Sequence, residues 1–128
     1  MAPFSRIRST TVASLLLLLV SATAAFADKP TVTITAPESV KAGTEVTIKI
    51  KVTHSGNSFM HHVDWAEISV DGKEVKRWDF SMSKKPEAAV FEREFTQVVT
   101  VPIEVSTRAD CNIHGNNGAV KTQIKVTE

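Results

Sequence analysis

One cysteine and four histidines carry the chemistry of this 128-residue chain. Cys111 stands three residues before His114. Thiolate and imidazole are both good ligands for a borderline or soft metal. A Cys-x-x-His spacing lets the two close on one ion across a tight turn. The same spacing also fits a buried small side chain followed by a surface histidine. The other histidines are His54, His61 and His62. All four fall at loop edges and none in the middle of a predicted strand, a placement that suits ligands. A single cysteine excludes an intramolecular disulfide. Outside the cytoplasm an unligated thiol oxidises readily unless it is buried.

The elements that must position these residues read as strands. Thr31 to Thr35 alternates around Val32 and Ile34, and Ala36-Pro37-Glu38 breaks it. After a turn at Lys41-Ala42-Gly43, Glu45 to Val52 places Val46, Ile48, Ile50 and Val52 on one face, as a half-buried antiparallel strand requires. His54 to Met60 is a loop with Ser55-Gly56-Asn57-Ser58 as its flexible centre. His61 to Val70 and Lys73 to Phe80 form a hairpin about Asp71-Gly72. Strands at Ala89 to Thr100, Ile103 to Ala109 and Ala119 to Val126 follow. No window has helical period. About seven strands with short turns predict an all-β fold, an immunoglobulin-like antiparallel β-sandwich. In such a body, loops at one end converge on a shared site.

Residues 1–27 read as a cleaved secretion signal. Arg6 and Arg8 form a basic start, Val12 to Val20 is apolar with Leu15 to Leu19 in succession, and Ala25-Phe26-Ala27 is a cleavage pattern. The apolar run is short of the ~20 residues that span a bilayer. Cleavage leaves one domain, residues 28–128, expected in the periplasm or otherwise exported, with no membrane association. Losing both arginines moves the formal charge from +1 to −1. No strongly basic face is implied, which argues against nucleic acid as a partner.

Two segments resemble superoxide reductases, the iron domain also found in neelaredoxins and desulfoferrodoxins. His61-His62-Val63-Asp64-Trp65 is similar to their His-(His/Tyr)-(Ile/Val)-x-Trp segment. Cys111-Asn112-Ile113-His114-Gly115 matches their Cys-Asn-x-His-Gly motif at every fixed position. His54 stands where the family has another histidine. The resemblance covers about Glu45 to Val126 and implies an immunoglobulin-like sandwich holding one iron per chain. It implies His54, His61 and His114 as ligands in a plane, Cys111 as the axial thiolate, and an open position for superoxide. Cys111, His114 and His61 are then the catalytic residues, backbone N–H groups after Cys111 tune the sulfur, and a separate electron-donor protein re-reduces the iron.

The chain departs from the family in three places. The family's Glu-Lys-His-Val-Pro type segment, which brings a fourth plane histidine, is replaced by Ala36-Pro37-Glu38-Ser39-Val40-Lys41. Glu38 and Lys41 are the candidate substitutes for its charges. His54 precedes His61 by seven residues, against the family's common six. The Leu-Trp-Glu that usually follows the cysteine motif is Asn116-Asn117-Gly118 here. Strand alternation turns His62 away from a metal that His61 faces.

Two other readings compete. A cupredoxin-like electron carrier also uses His, Cys and His, but Gly118, Ala119 and Val120 occupy the usual place of its weak axial Met. Met60 and Met82 are expected to pack in the core. A non-catalytic metal-binding or carrier module is the other. No nucleophile elbow or phosphate-binding Gly-rich loop is present.

Overall fold

The computed structural model describes residues 29–128. The expected secretion signal lies outside them. Eight strands are formed: β1 (Thr31–Thr35), β2 (Ser39–Lys41), β3 (Thr44–Thr53), β4 (Val63–Val70), β5 (Lys73–Asp79), β6 (Val90–Val99), β7 (Ile103–Cys111) and β8 (Val120–Thr127). No helix occurs among the described residues. One sheet has the order β1-β3-β6 and the other β2-β8-β7-β4-β5. The expected all-β immunoglobulin-like sandwich is the fold. The strand beyond the expected seven is β2, three residues long and paired in parallel with Lys125–Thr127 of β8. It was hidden because Ser39-Val40-Lys41 is too short to show a period.

Alternation along β3 buries Val46, Ile48, Ile50 and Val52. Val105 and Ala109 of β7, Ala66 and Ile68 of β4, and Ile124 of β8 complete the same core. Each fully buried Ile or Val contributes on the order of 1.5–3 kcal/mol, so the core ties the two sheets face to face. The β4–β5 hairpin turns at Asp71 and Gly72, with φ of 50° and 81°. Those left-handed values suit the Asp-Gly pair that marked the turn.

One irregularity bears on the site. Val63 pairs with Cys111 but Trp65 pairs with Asp110, so Asp64 is an extra residue in β4. Such a bulge resets alternation. Val63, Ala66 and Ile68 all reach the core, while Trp65 turns to the outer face. There its indole lies under the guanidinium groups of Arg77 and Arg108, at 4.6 and 5.3 Å.

Candidate metal centre

Cys111 ends β7 and is buried. Beyond it the chain doubles back. Cys111 N donates to Gly115 O at 2.8 Å, and Gly115 N donates to Cys111 O at 3.0 Å. Gly115 has φ 75°, a conformation that side chains disfavour. This loop returns His114 to its own cysteine, with Nδ1 3.7 Å from Cys111 Sγ.

His54 follows the last residue of β3 and is fully buried. Its N donates to Ala89 O at 2.8 Å, just before β6. His61 is half-buried in the β3–β4 loop. Ser58 holds the main chain there: its N donates to His61 O at 2.7 Å, and its Oγ accepts from His61 N at 3.1 Å. The His61 ring stands edge-on between those of His54 and His114, with centroids 4.7 and 5.0 Å away. Its Nε2 lies 3.3 Å from His114 Nδ1. Donor atoms of His54, His61 and Cys111 all fall within 4.8 Å of one another. Thus two segments distant in sequence, the β3–β4 loop and the end of β7, meet at one pole of the sandwich. His114 lies exposed at its rim.

This arrangement fits a metal. With metal–nitrogen and metal–sulfur distances of about 2.1 and 2.3 Å, neighbouring ligand atoms on one ion lie about 3.0–3.6 Å apart. The 3.3 and 3.7 Å separations about His114 Nδ1 are close to that range. The mutually converging donors are two imidazoles and one thiolate, with His114 outside that group but in contact with His61 and Cys111. Imidazole and thiolate suit Fe, Cu or Zn better than a hard cation.

Two asparagines, missed as functional residues in the sequence, brace the loops. Asn112 Oδ1 accepts from His62 N at 2.9 Å, its own N donates to His62 O at 3.1 Å, and its Nδ2 donates to Met60 O at 3.1 Å. It thereby grips the main chain on both sides of His61. Asn57 contacts His54 Nδ1, Val63 N and Ala88 O. Ser55-Gly56-Asn57-Ser58 is therefore a hydrogen-bonded strap where the sequence suggested a flexible centre. An Asn within a Ser/Gly run signals a turn, and it gives no hint of a distant partner.

Several finer expectations change. His61 and His62 precede β4, which starts at Val63, so simple alternation does not govern them. His62 nonetheless lies outside the donor cluster, buried, with no hydrogen-bond partner for its Nδ1 among the described residues. The N–H of Asn112 is committed to His62 O and that of Gly115 to Cys111 O, which narrows the expected main-chain donors to the sulfur to Ile113 and His114. Glu38 and Lys41 cannot replace the family's charged segment. They lie at β2, beside Lys125–Thr127, at the Ile103 end of β7. The length of β7 puts that end about 26 Å from Cys111. Lys29 is better placed, because Thr31 pairs with Thr53 beside His54 and Pro30 O accepts from Asn117 Nδ2 at 3.3 Å. Met60 and Met82 are exposed, contrary to the core placement expected of them.

Comparison with known proteins identifies the architecture. The desulfoferrodoxin family matches residues 22–117. This chain belongs to the desulfoferrodoxin family. Among solved structures, a variant of superoxide reductase (neelaredoxin) from Ignicoccus hospitalis is 26% identical, with a TM-score of 0.65 over 82% of this chain and 86% of that one. The sulfur carrier protein SoxY from Chlorobium limicola shares the fold at 17% identity and a TM-score of 0.55, over 76% and 79% of the two chains. Fibronectin(III)-like modules of CbhA from Clostridium thermocellum share it at 24% and 0.53, over 77% of this chain and 47% of that one. No curated protein matches the sequence. Superoxide reductases bind non-haem iron, and the histidine–cysteine cluster of this family member is a donor set that can hold such an ion.

Proposed function

We propose that the protein is a mononuclear iron superoxide reductase, with His54, His61, His114 and Cys111 as ligands. The convergence of Cys111 with His54 and His61 within 4.8 Å carries this reading. Bound there, ferrous iron would supply the electron that, with two protons, converts superoxide to hydrogen peroxide. The chain's own residues prepare the site. Burial of Cys111 and His54 keeps bulk water from their donor atoms. Asn112 and Ser58 fix the main chain on either side of His61 and so its approach to His114. Exposed His114 leaves that side open to a small anion and to water as proton source. Lys29 brings positive charge to the same pole.

Electrons would come from a separate donor protein, one iron being served per chain. Exposed Ile113 adjoins His114, and exposed Phe59 and Met60 lie on the loop that carries His61, so apolar side chains border the approach to the site. We further propose cleavage after Ala27, export, and function of residues 28–128 outside the cytoplasm. Intact mass of the exported protein tests that. A species retaining residues 1–27 in the membrane fraction would refute it.

The decisive experiment combines metal analysis of the purified protein with a superoxide pulse on its ferrous form. One iron per chain and rapid formation of peroxide are expected. Iron-loaded protein inert to the pulse would sink the enzyme reading. The His54–His61–Cys111 grouping is also the donor set of blue copper. Native copper with an intense blue band would establish that electron-transfer reading instead.

A further inference from the structure

We propose that Asn57 is a positioning residue that fixes His54 in its Nδ1–H form, so that Nε2 is the nitrogen presented to the metal. The inference rests on His54 being a ligand and goes beyond it to how the ligand is prepared.

The orientation of the Asn57 amide is fixed by two main-chain groups. Val63 N lies 2.9 Å from one terminal atom. A backbone N–H only donates, so that atom is Oδ1. Ala88 O lies 2.9 Å from the other. A carbonyl only accepts, so that atom is Nδ2. Flipping the amide would set donor against donor and acceptor against acceptor. The atom that meets His54 Nδ1 at 3.1 Å is therefore an acceptor. Nδ1 must carry the proton and donate it. Neutral imidazole has one N–H, so its lone pair is then on Nε2.

Burial strengthens the constraint. His54 is 1% exposed, so water cannot readily take the place of Asn57. The same amide joins the end of β3, the start of β4 and the segment leading into β6. A histidine ligand whose second nitrogen donates to a fixed oxygen is held in tautomer and ring orientation, and is made more basic. Asn57 would do here what a carboxylate or main-chain carbonyl does at other metal sites. It lies within the seven-residue step from His54 to His61, so the longer loop brings its own brace.

Nitrogen-15 NMR of the full exported chain, metal-free, reads the His54 tautomer directly. Nδ1–H is expected in the wild type; Nε2–H would overturn the proposal whatever the variants do. Ferrous iron is then titrated against a competing chelator. Asn57→Ala should lose the single tautomer and bind iron about 10- to 100-fold more weakly. Asn57→Asp keeps an acceptor for both His54 and Val63 while losing the donor to Ala88. It should retain the Nδ1–H form, hold iron at least as tightly as Asn57→Ala does, and lower the reduction potential through its added charge. Equal loss of affinity in both variants, with no change of tautomer in either, would reduce Asn57 to a loop staple. Failure of the wild type to bind iron at all would reject the iron reading, while the metal-free tautomer would still decide the role of Asn57.

Discussion

His61 Nε2 and His114 Nδ1 lie 3.3 Å apart although 53 residues separate them in sequence. Cys111 Sγ is 3.7 Å from the same His114 nitrogen. Separations of this size suit a proton shared between the groups in the metal-free protein and a shared ion once metal is loaded. We expect His61→Ala and His114→Ala each to eliminate stoichiometric iron. Cys111→Ser should abolish the thiolate-to-ferric band in the visible spectrum. It should leave far-UV dichroism unchanged, because the core is carried by Val105, Ala109 and their neighbours. Unchanged visible spectra in Cys111→Ser would remove the thiolate from the site.

His62 separates coordination from packing. Its ring is buried, outside the donor cluster, and its Nδ1 has no hydrogen-bond partner among the described residues. An unsatisfied buried polar group is costly, and an apolar replacement of similar size recovers that cost. His62→Leu should therefore hold iron like the wild type and be as stable or slightly more so. His62→Ala should also hold iron but lose on the order of 2 kcal/mol to the cavity it leaves. Urea melts and metal content check both. Loss of iron in His62→Leu would make His62 a fourth histidine ligand.

The sandwich and the partners in the cluster were legible in the sequence for different reasons. Strong period-2 patterning in β3 and Asp-Gly at the hairpin are local signals, and both survive in the structure. Cys111 and His114 were recognisable because a tight loop needs only local spacing. The Asp64 bulge was not, since it exists only in the pairing with β7 and shifts the faces of β4. Asn57 was equally hidden, and Asn112, though a fixed position of the cysteine motif, gave no sign of its bracing contacts. Their partners, Ala88 and Met60, lie 31 and 52 residues away. Glu38 and Lys41 seemed eligible only because sequence gives no sense of which pole a segment occupies.

On the outer face of the larger sheet, Glu67 is a buried carboxylate between two arginines. Arg108 Nε donates to it at 2.7 Å, Arg108 Nη2 also reaches it, and Arg77 Nη1 is 3.8 Å away. Removing one partner of a buried pair leaves a charge uncompensated, whereas removing both is often nearly neutral. With Arg77 still present, Arg108→Met should cost about 2–3 kcal/mol. The double change Glu67→Leu/Arg108→Met should recover most of that loss. Neither should alter iron affinity, since this face is turned away from the cluster. Additive losses in the double variant would show that the pair is not coupled.

The last expectation concerns acid. Arg93 grips Glu87 through two bonds, Nη1 to Oε1 at 2.8 Å and Nη2 to Oε2 at 2.9 Å. This hydrogen bonding holds the Glu87 carboxyl well below its ordinary 4.5, at about 2. A carboxyl whose pKa is lower in the folded state stabilises the fold fully above its unfolded pKa. That contribution fades as pH falls towards the folded value. Glu87 is largely exposed, so solvent screening keeps the contribution below about 1 kcal/mol. Glu87→Gln should thus be slightly less stable than wild type at neutral pH. The gap should close between about pH 4.5 and 2. Ala88 and Ala89, which follow Glu87, hold Asn57 and His54 through their carbonyls. Those contacts are main-chain on one side and survive the substitution, so iron affinity at neutral pH should change little. Denaturant melts across this pH range, run on both proteins, test the sign. A stability gap that persists undiminished near pH 2.5 would mean that the charge of Glu87 contributes nothing and that Gln simply packs less well.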